Sequence, residues 1–100
     1  MSAAPLSPAQ LLRKLFMEAT TSDLAELGRA IEKGNHGAAL HHAHRIHGAA
    51  LSMGAYALAS AAGTLESDLR SGTVGQAHCQ PQVSQLAVLM QQWVQKHPAP

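Results

Sequence analysis

Cysteine is almost absent from the chain. Cys79 stands alone, so no internal disulfide can form, and a reducing compartment is expected. Aromatic residues number three, Phe16, Tyr56 and Trp93, too few to interleave with cations in the way a nucleic-acid surface requires. Seven Lys/Arg against six Asp/Glu leave a formal charge of +1, with no basic stripe, so nucleic acid is not an expected partner. No apolar run nears the about 20 residues that a membrane span needs. The N-terminus also lacks the basic-then-apolar order of a signal peptide. No membrane contact by this segment is expected, and the expected location is the cytoplasm. A Gly-rich phosphate loop is missing too, which leaves no candidate nucleotide site and no expectation of kinase activity.

What the sequence does have is alanine and leucine in quantity, in a chain of 100 residues that is 46% apolar. Both residues lead the helix-propensity ranking, and a chain of this length holds one small core. Ser7-Pro8-Ala9-Gln10 reads as a capped helix start, with Gln10 placed to close a capping box. Leu11, Leu12, Leu15, Phe16 and Ala19 follow at helical spacing. Thr20-Thr21-Ser22-Asp23 is a second cap signal and predicts a break or kink there, after which Leu24, Leu27 and Ile31 resume the stripe. Gly34 stops it. Asn35 then caps a helix from about His36 to Ser52, and Gly54 precedes a stripe of Ala55, Leu58, Ala62, Leu65 and Leu69. Gly72 and Gly75 bracket a polar loop, Pro81 is placed to open a last helix, and Pro98 ends it. The expectation is all-α: an up-down-up-down antiparallel four-helix bundle with a short additional N-terminal helix. Residues 1–6 read as a flexible lead-in, 7–97 as the bundle and 98–100 as a tail.

Five of the seven histidines fall between His36 and His47, so chemistry is sought on that helix. At about 100° per residue, Ala43 centres a buried face shared with Ala39, Ile46 and Ala50. His44 sits about 100° from that centre, on the rim, where a ring is braced yet open to water. Gly37 and Gly48 share its flank. Gly inside a helix costs about 1 kcal/mol relative to Ala, and Gly48, one turn beyond His44, clears space beside the imidazole. His47 is one turn along, close enough to share a ligand.

The plain readings are taken for the rest. His36 and His42 read as surface or helix-start residues, His78 and His97 as isolated histidines, Tyr56 and Trp93 as bundle packing. Glu66 and Asp68 read as ordinary helix-surface charges. A metal site on His41, His44 and His47 is the chemical rival. Three such steps fan over about 120° of the helix, however, and no carboxylate lies between Asn35 and Leu65 to complete a shell.

The run Ala43-His44-Arg45-Ile46-His47-Gly48-Ala49-Ala50-Leu51-Ser52-Met53-Gly54-Ala55 resembles the signature of histidine phosphotransfer (HPt) domains of two-component phosphorelays, as in hybrid sensor kinases. Upstream Gly34-Asn35 with Leu40, and downstream Leu58 and Leu65-Glu66, resemble the family's flanking elements. The resemblance implies that His44 takes a phosphoryl group from a receiver-domain aspartyl phosphate and passes it to a response-regulator aspartate. It also implies that His47 and Gly48 neighbour that group and that Gly37, His41, Arg45 and Leu51 meet the partner. The domain itself needs no cofactor, and Mg²⁺ is expected to come with the receiver. A monomer is expected, either free or as the cytoplasmic part of a membrane-bound hybrid kinase. One departure stands out: where the family usually has lysine three residues after its histidine, this chain has His47. That departure keeps a second reading open, a bundle that docks a partner without carrying phosphate.

Overall fold

A computed structural model of the chain describes residues 4–98; the ends of the expected lead-in and tail, residues 1–3 and 99–100, lie outside the described residues. Four helices follow one another: α1 (Pro8–Glu32), α2 (His36–Ser52), α3 (Tyr56–Ser71) and α4 (Gln76–Lys96). Among the described residues there is no strand. The connections are so short that consecutive helices must run antiparallel. Each helix packs on two neighbours, α1 on α2 and α4, and α3 on α2 and α4, while the diagonal pairs stay apart. This is the up-and-down four-helix bundle.

Local chemistry explains the ends. Ser7 accepts from the Gln10 backbone N–H while the Gln10 side chain accepts from the Ser7 N–H, so the capping box closes as read. Asn35 caps α2 through a bond from Ala38 N–H. The α1–α2 and α2–α3 turns repeat one geometry. Gly34 and Gly54 take φ of +69° and +72°, which only glycine adopts cheaply. The next residues, Asn35 and Ala55, then donate back to Ala30 and Ala50 carbonyls at 2.8 and 2.9 Å. These are Schellman closures.

Two expectations about the helices are corrected. Among the described residues there is no separate N-terminal helix: α1 runs unbroken through Thr20–Asp23. Two of the four residues taken for a cap face inward instead, Thr20 and Asp23 both being buried while Thr21 and Ser22 stay exposed, and the Asp23 carboxylate accepts from His42 and Arg45 of α2 rather than from its own backbone. Pro81 does not open α4 but lies inside it. The helix starts five residues earlier because buried Cys79 anchors its first turn, donating with His78 to the Gly75 carbonyl. Proline removes the N–H that would pair with the Ala77 carbonyl, and since both residues are exposed water can serve that carbonyl.

The core is assembled from Leu27, Ile46, Leu58, Leu65 and Leu86, all fully buried. The inner face of α2 is otherwise alanine, Ala39, Ala43 and Ala50, which lets its axis approach α1 and α3 closely. Phe16 meets Trp93 edge-on at 5.0 Å and joins α1 to α4. Tyr56, expected in the packing, is instead 70% exposed, because it stands at the first position of α3, outside the buried stripe that begins at Leu58.

Candidate functional site

Helix α2 presents His44 and His47 toward α3, and a carboxylate waits there. Glu66 is 7% exposed because it lies on the inner stripe of α3, one turn after Ala62 and just before Leu69. The His44 Nδ1–Glu66 Oε2 distance is 2.7 Å, the His47 Nδ1–Glu66 Oε1 distance 2.9 Å, and Arg70 Nη2 donates to Oε2 at 2.8 Å. One buried carboxylate thus bridges two histidines and an arginine.

Electrostatics fixes the direction of these bonds. The bond from Arg70 holds the Glu66 carboxyl at about 2, against burial, which pushes it up; the bonds from His47 and His44 add to the lowering. Glu66 is therefore ionised at neutral pH and can only accept. Both histidines must donate through Nδ1–H. In a neutral ring the lone pair then resides on Nε2, so Glu66 selects the tautomer of His44 and leaves its outer nitrogen nucleophilic.

The two rings differ in access. The His44 side chain is 66% exposed and that of His47 34%. A Cβ on Gly48 would meet nothing within 4 Å, so the flank beside His44 is open. Leu51, two turns along and by helical arithmetic on the His44 side, is half exposed. His41 is exposed as well, with its ring edge against His42.

Among the expected site residues, His44, His47, Gly48 and Leu51 share one flank. Arg45 turns the other way, its Nε reaching Asp23 of α1 at 3.2–3.3 Å, and Gly37 sits at the start of α2, well short of His44. Among the described residues no three His, Cys, Asp or Glu side chains gather in an arrangement that could hold a metal ion. The reading of Glu66 as an ordinary surface charge is overturned by its burial and its three partners. A signal was present: Ala59, Ala62, Glu66 and Leu69 recur at helical spacing, which puts the carboxylate inside an apolar stripe. Asp68 and His78 are not isolated either, since they meet at 3.1 Å with Gln82 beside them.

A four-helix bundle that exposes one histidine, braced through Nδ1 by a buried carboxylate, is a scaffold for chemistry at Nε2 delivered to a second protein. The sequence matches the family model of the Hpt domain over residues 11–96, and the chain belongs to that family. A search of curated proteins yields no match, and neither does a search of solved structures. Family membership makes this a histidine phosphotransfer domain of two-component phosphorelays, whose partners are receiver domains. No helix among the described residues is long and apolar enough to cross a membrane.

Proposed function

We propose that His44 is the phosphorylated residue, and that it accepts its phosphoryl group from the aspartyl phosphate of a receiver domain and returns it to the aspartate of a response regulator. The observation that carries this reading is the Nδ1 contact of an exposed ring with buried, ionised Glu66. The Nε2 lone pair attacks phosphorus, the P–O bond to the aspartyl carboxylate breaks, and the carboxylate leaves with its electron pair. The Nδ1 proton stays on the ring, where Glu66 neutralises the developing imidazolium charge. The reverse sequence hands the group on.

Such transfer depends mainly on position and charge neutralisation. This chain supplies an oriented nucleophile, open space over Gly48 and an apolar contact at Leu51, with His41 at the rim of the docking surface. In this reading Mg²⁺ comes with the receiver, and the engagement of both Glu66 oxygens by His44, His47 and Arg70 is consistent with that division. His47 flanks the phosphoryl group.

The test is transfer from a panel of receiver domains phosphorylated on aspartate. Wild type should gain label as phosphohistidine, and His44→Gln should gain none. Label retained by His44→Gln would overturn the reading.

A further inference from the structure

Gly63 lies on α3 one turn before Glu66, in the interior of a helix where glycine costs about 1 kcal/mol relative to alanine. Its surroundings give a reason for that cost. A Cβ at this position would lie 3.2 Å from His47 Nε2, 3.3 Å from Cε1 and 3.6 Å from Cδ2. The far edge of the His47 ring therefore rests in the space that the missing side chain leaves, while the near nitrogen is bound to Glu66. The other helical glycines differ. Gly28 would bring its Cβ no nearer than 4.0 Å to Val83 Cγ1, and Gly37 and Gly48 would meet nothing.

The carboxylate of Glu66 is held at both oxygens, by His47 on Oε1 and by His44 and Arg70 on Oε2. If His47 swings away, Oε1 loses its donor and the carboxylate is held at Oε2 alone, so its last torsion is less restrained and Oε2 can follow Arg70 off the line to His44. His47 has somewhere to go, because its side chain is one-third exposed. We infer that Gly63 is a positioning residue for phosphotransfer: it seats the His47 ring against α3, and through His47 and Glu66 it sets the tautomer and orientation of His44. The inference rests on the phosphotransfer reading for its functional consequence, but the effect on the His44 ring is measurable without any phosphoryl donor.

The experiment compares Gly63→Ala with wild type, with His47→Ala, with the Gly63→Ala/His47→Ala double variant and with Gly28→Ala as a helix control. Three quantities are read on the whole domain: the melting temperature, the ¹⁵N shifts of the His44 ring nitrogens, and the rate of label uptake from a phosphorylated receiver. Gly63→Ala should keep or raise the melting temperature, since alanine favours the helix. The same variant should shift His44 from the Nδ1–H form toward a mixture of tautomers, and slow uptake by about tenfold. In the His47→Ala background Gly63→Ala should change neither ring shifts nor rate further. Gly28→Ala should stabilise without touching the His44 signals. Wild-type His44 shifts in Gly63→Ala would overturn the inference, as would a loss of rate that adds independently to that of His47→Ala. Because the ring shifts need no receiver, labelling that persists in His44→Gln would sink the proposed function while leaving the Gly63 result to be judged by itself.

Discussion

Helix α2 takes part in two histidine–carboxylate–arginine sets, one shared with each neighbouring helix. Toward α3, His44 meets Glu66, which also receives Arg70. Toward α1, His42 Nδ1 lies 2.8 Å from Asp23 Oδ1, and Arg45 reaches the same carboxylate. Both carboxylates are 7% exposed, and the two Nδ1 contacts differ in length by 0.1 Å. The rings differ in what their other nitrogen can meet: the His42 side chain is 21% exposed against 66% for His44. A second histidine, His47, shares Glu66, and none shares Asp23. On the proposed reading, a buried carboxylate on Nδ1 does not by itself define a reactive histidine. The α1 set ties two helices together, and the α3 set adds an open Nε2.

Substitutions should separate the two sets. Glu66→Gln removes the charge and one acceptor, so Nδ1–H of His44 and of His47 can no longer both be satisfied alongside Arg70. Uptake of label from a phosphorylated receiver should fall by one to two orders of magnitude, on the order of 2 kcal/mol in the barrier. Asp23→Asn should leave the uptake rate within about twofold. It should lower unfolding free energy in urea by about 1–3 kcal/mol, the usual cost of leaving buried donors short of an acceptor. If Asp23→Asn slows transfer as much as Glu66→Gln does, the sets are not functionally distinct and the comparison fails.

Acid sharpens the same contrast. The folded-state pKa of Glu66 is depressed to about 2 from an ordinary value of 4.5. A depressed carboxylate contributes stability that is fully present above its unfolded value and is lost as pH falls through the folded one. Urea unfolding between pH 7 and pH 2.5 should accordingly show a loss that sets in near pH 4.5 and deepens toward 2. In Glu66→Gln that component should be missing, so the wild-type and variant curves converge as pH falls. Parallel curves would mean that Glu66 is not held ionised by its partners.

Much of this was readable from residues alone, for definite reasons. The Ser7–Gln10 capping box, the Asn35 cap, the glycine turns and the stripes of α2 and α3 are local patterns with one physical outcome each, and they place His44 on the rim of α2. What escaped were the residues whose role is set by another helix. Thr20–Asp23 carries the same side chains whether it caps or packs, and only the position of His42 and Arg45 on α2 turns Asp23 inward. Glu66 stands within the apolar spacing of α3, but the partners it meets there, His44 and His47, come from α2. Gly63 has no local signature, because the ring it accommodates belongs to a residue sixteen positions earlier. Pro81 reads as a helix start because proline favours that position, and the burial of Cys79, two residues upstream, has no local signal.

One turn before each carboxylate stands a residue that differs between the sets: Gly63 before Glu66, and Thr20 before Asp23. Thr20 is 1% exposed and its Oγ1 has no hydrogen-bond partner, so this hydroxyl is buried without the bond that would offset its desolvation. Thr20→Val keeps the shape and removes the polar atom. It should raise unfolding free energy by about 1 kcal/mol and leave both the His44 ring shifts and the rate of label uptake unchanged. Gly63→Ala should likewise keep or raise stability, yet at the expense of transfer. If Thr20→Val disturbs His44 too, the α1 and α3 faces of α2 are coupled through the core, and the division into a fastening side and a reacting side must be given up. If only Gly63→Ala does so, the small residue before Glu66 is kept for the reaction and the hydroxyl before Asp23 is not.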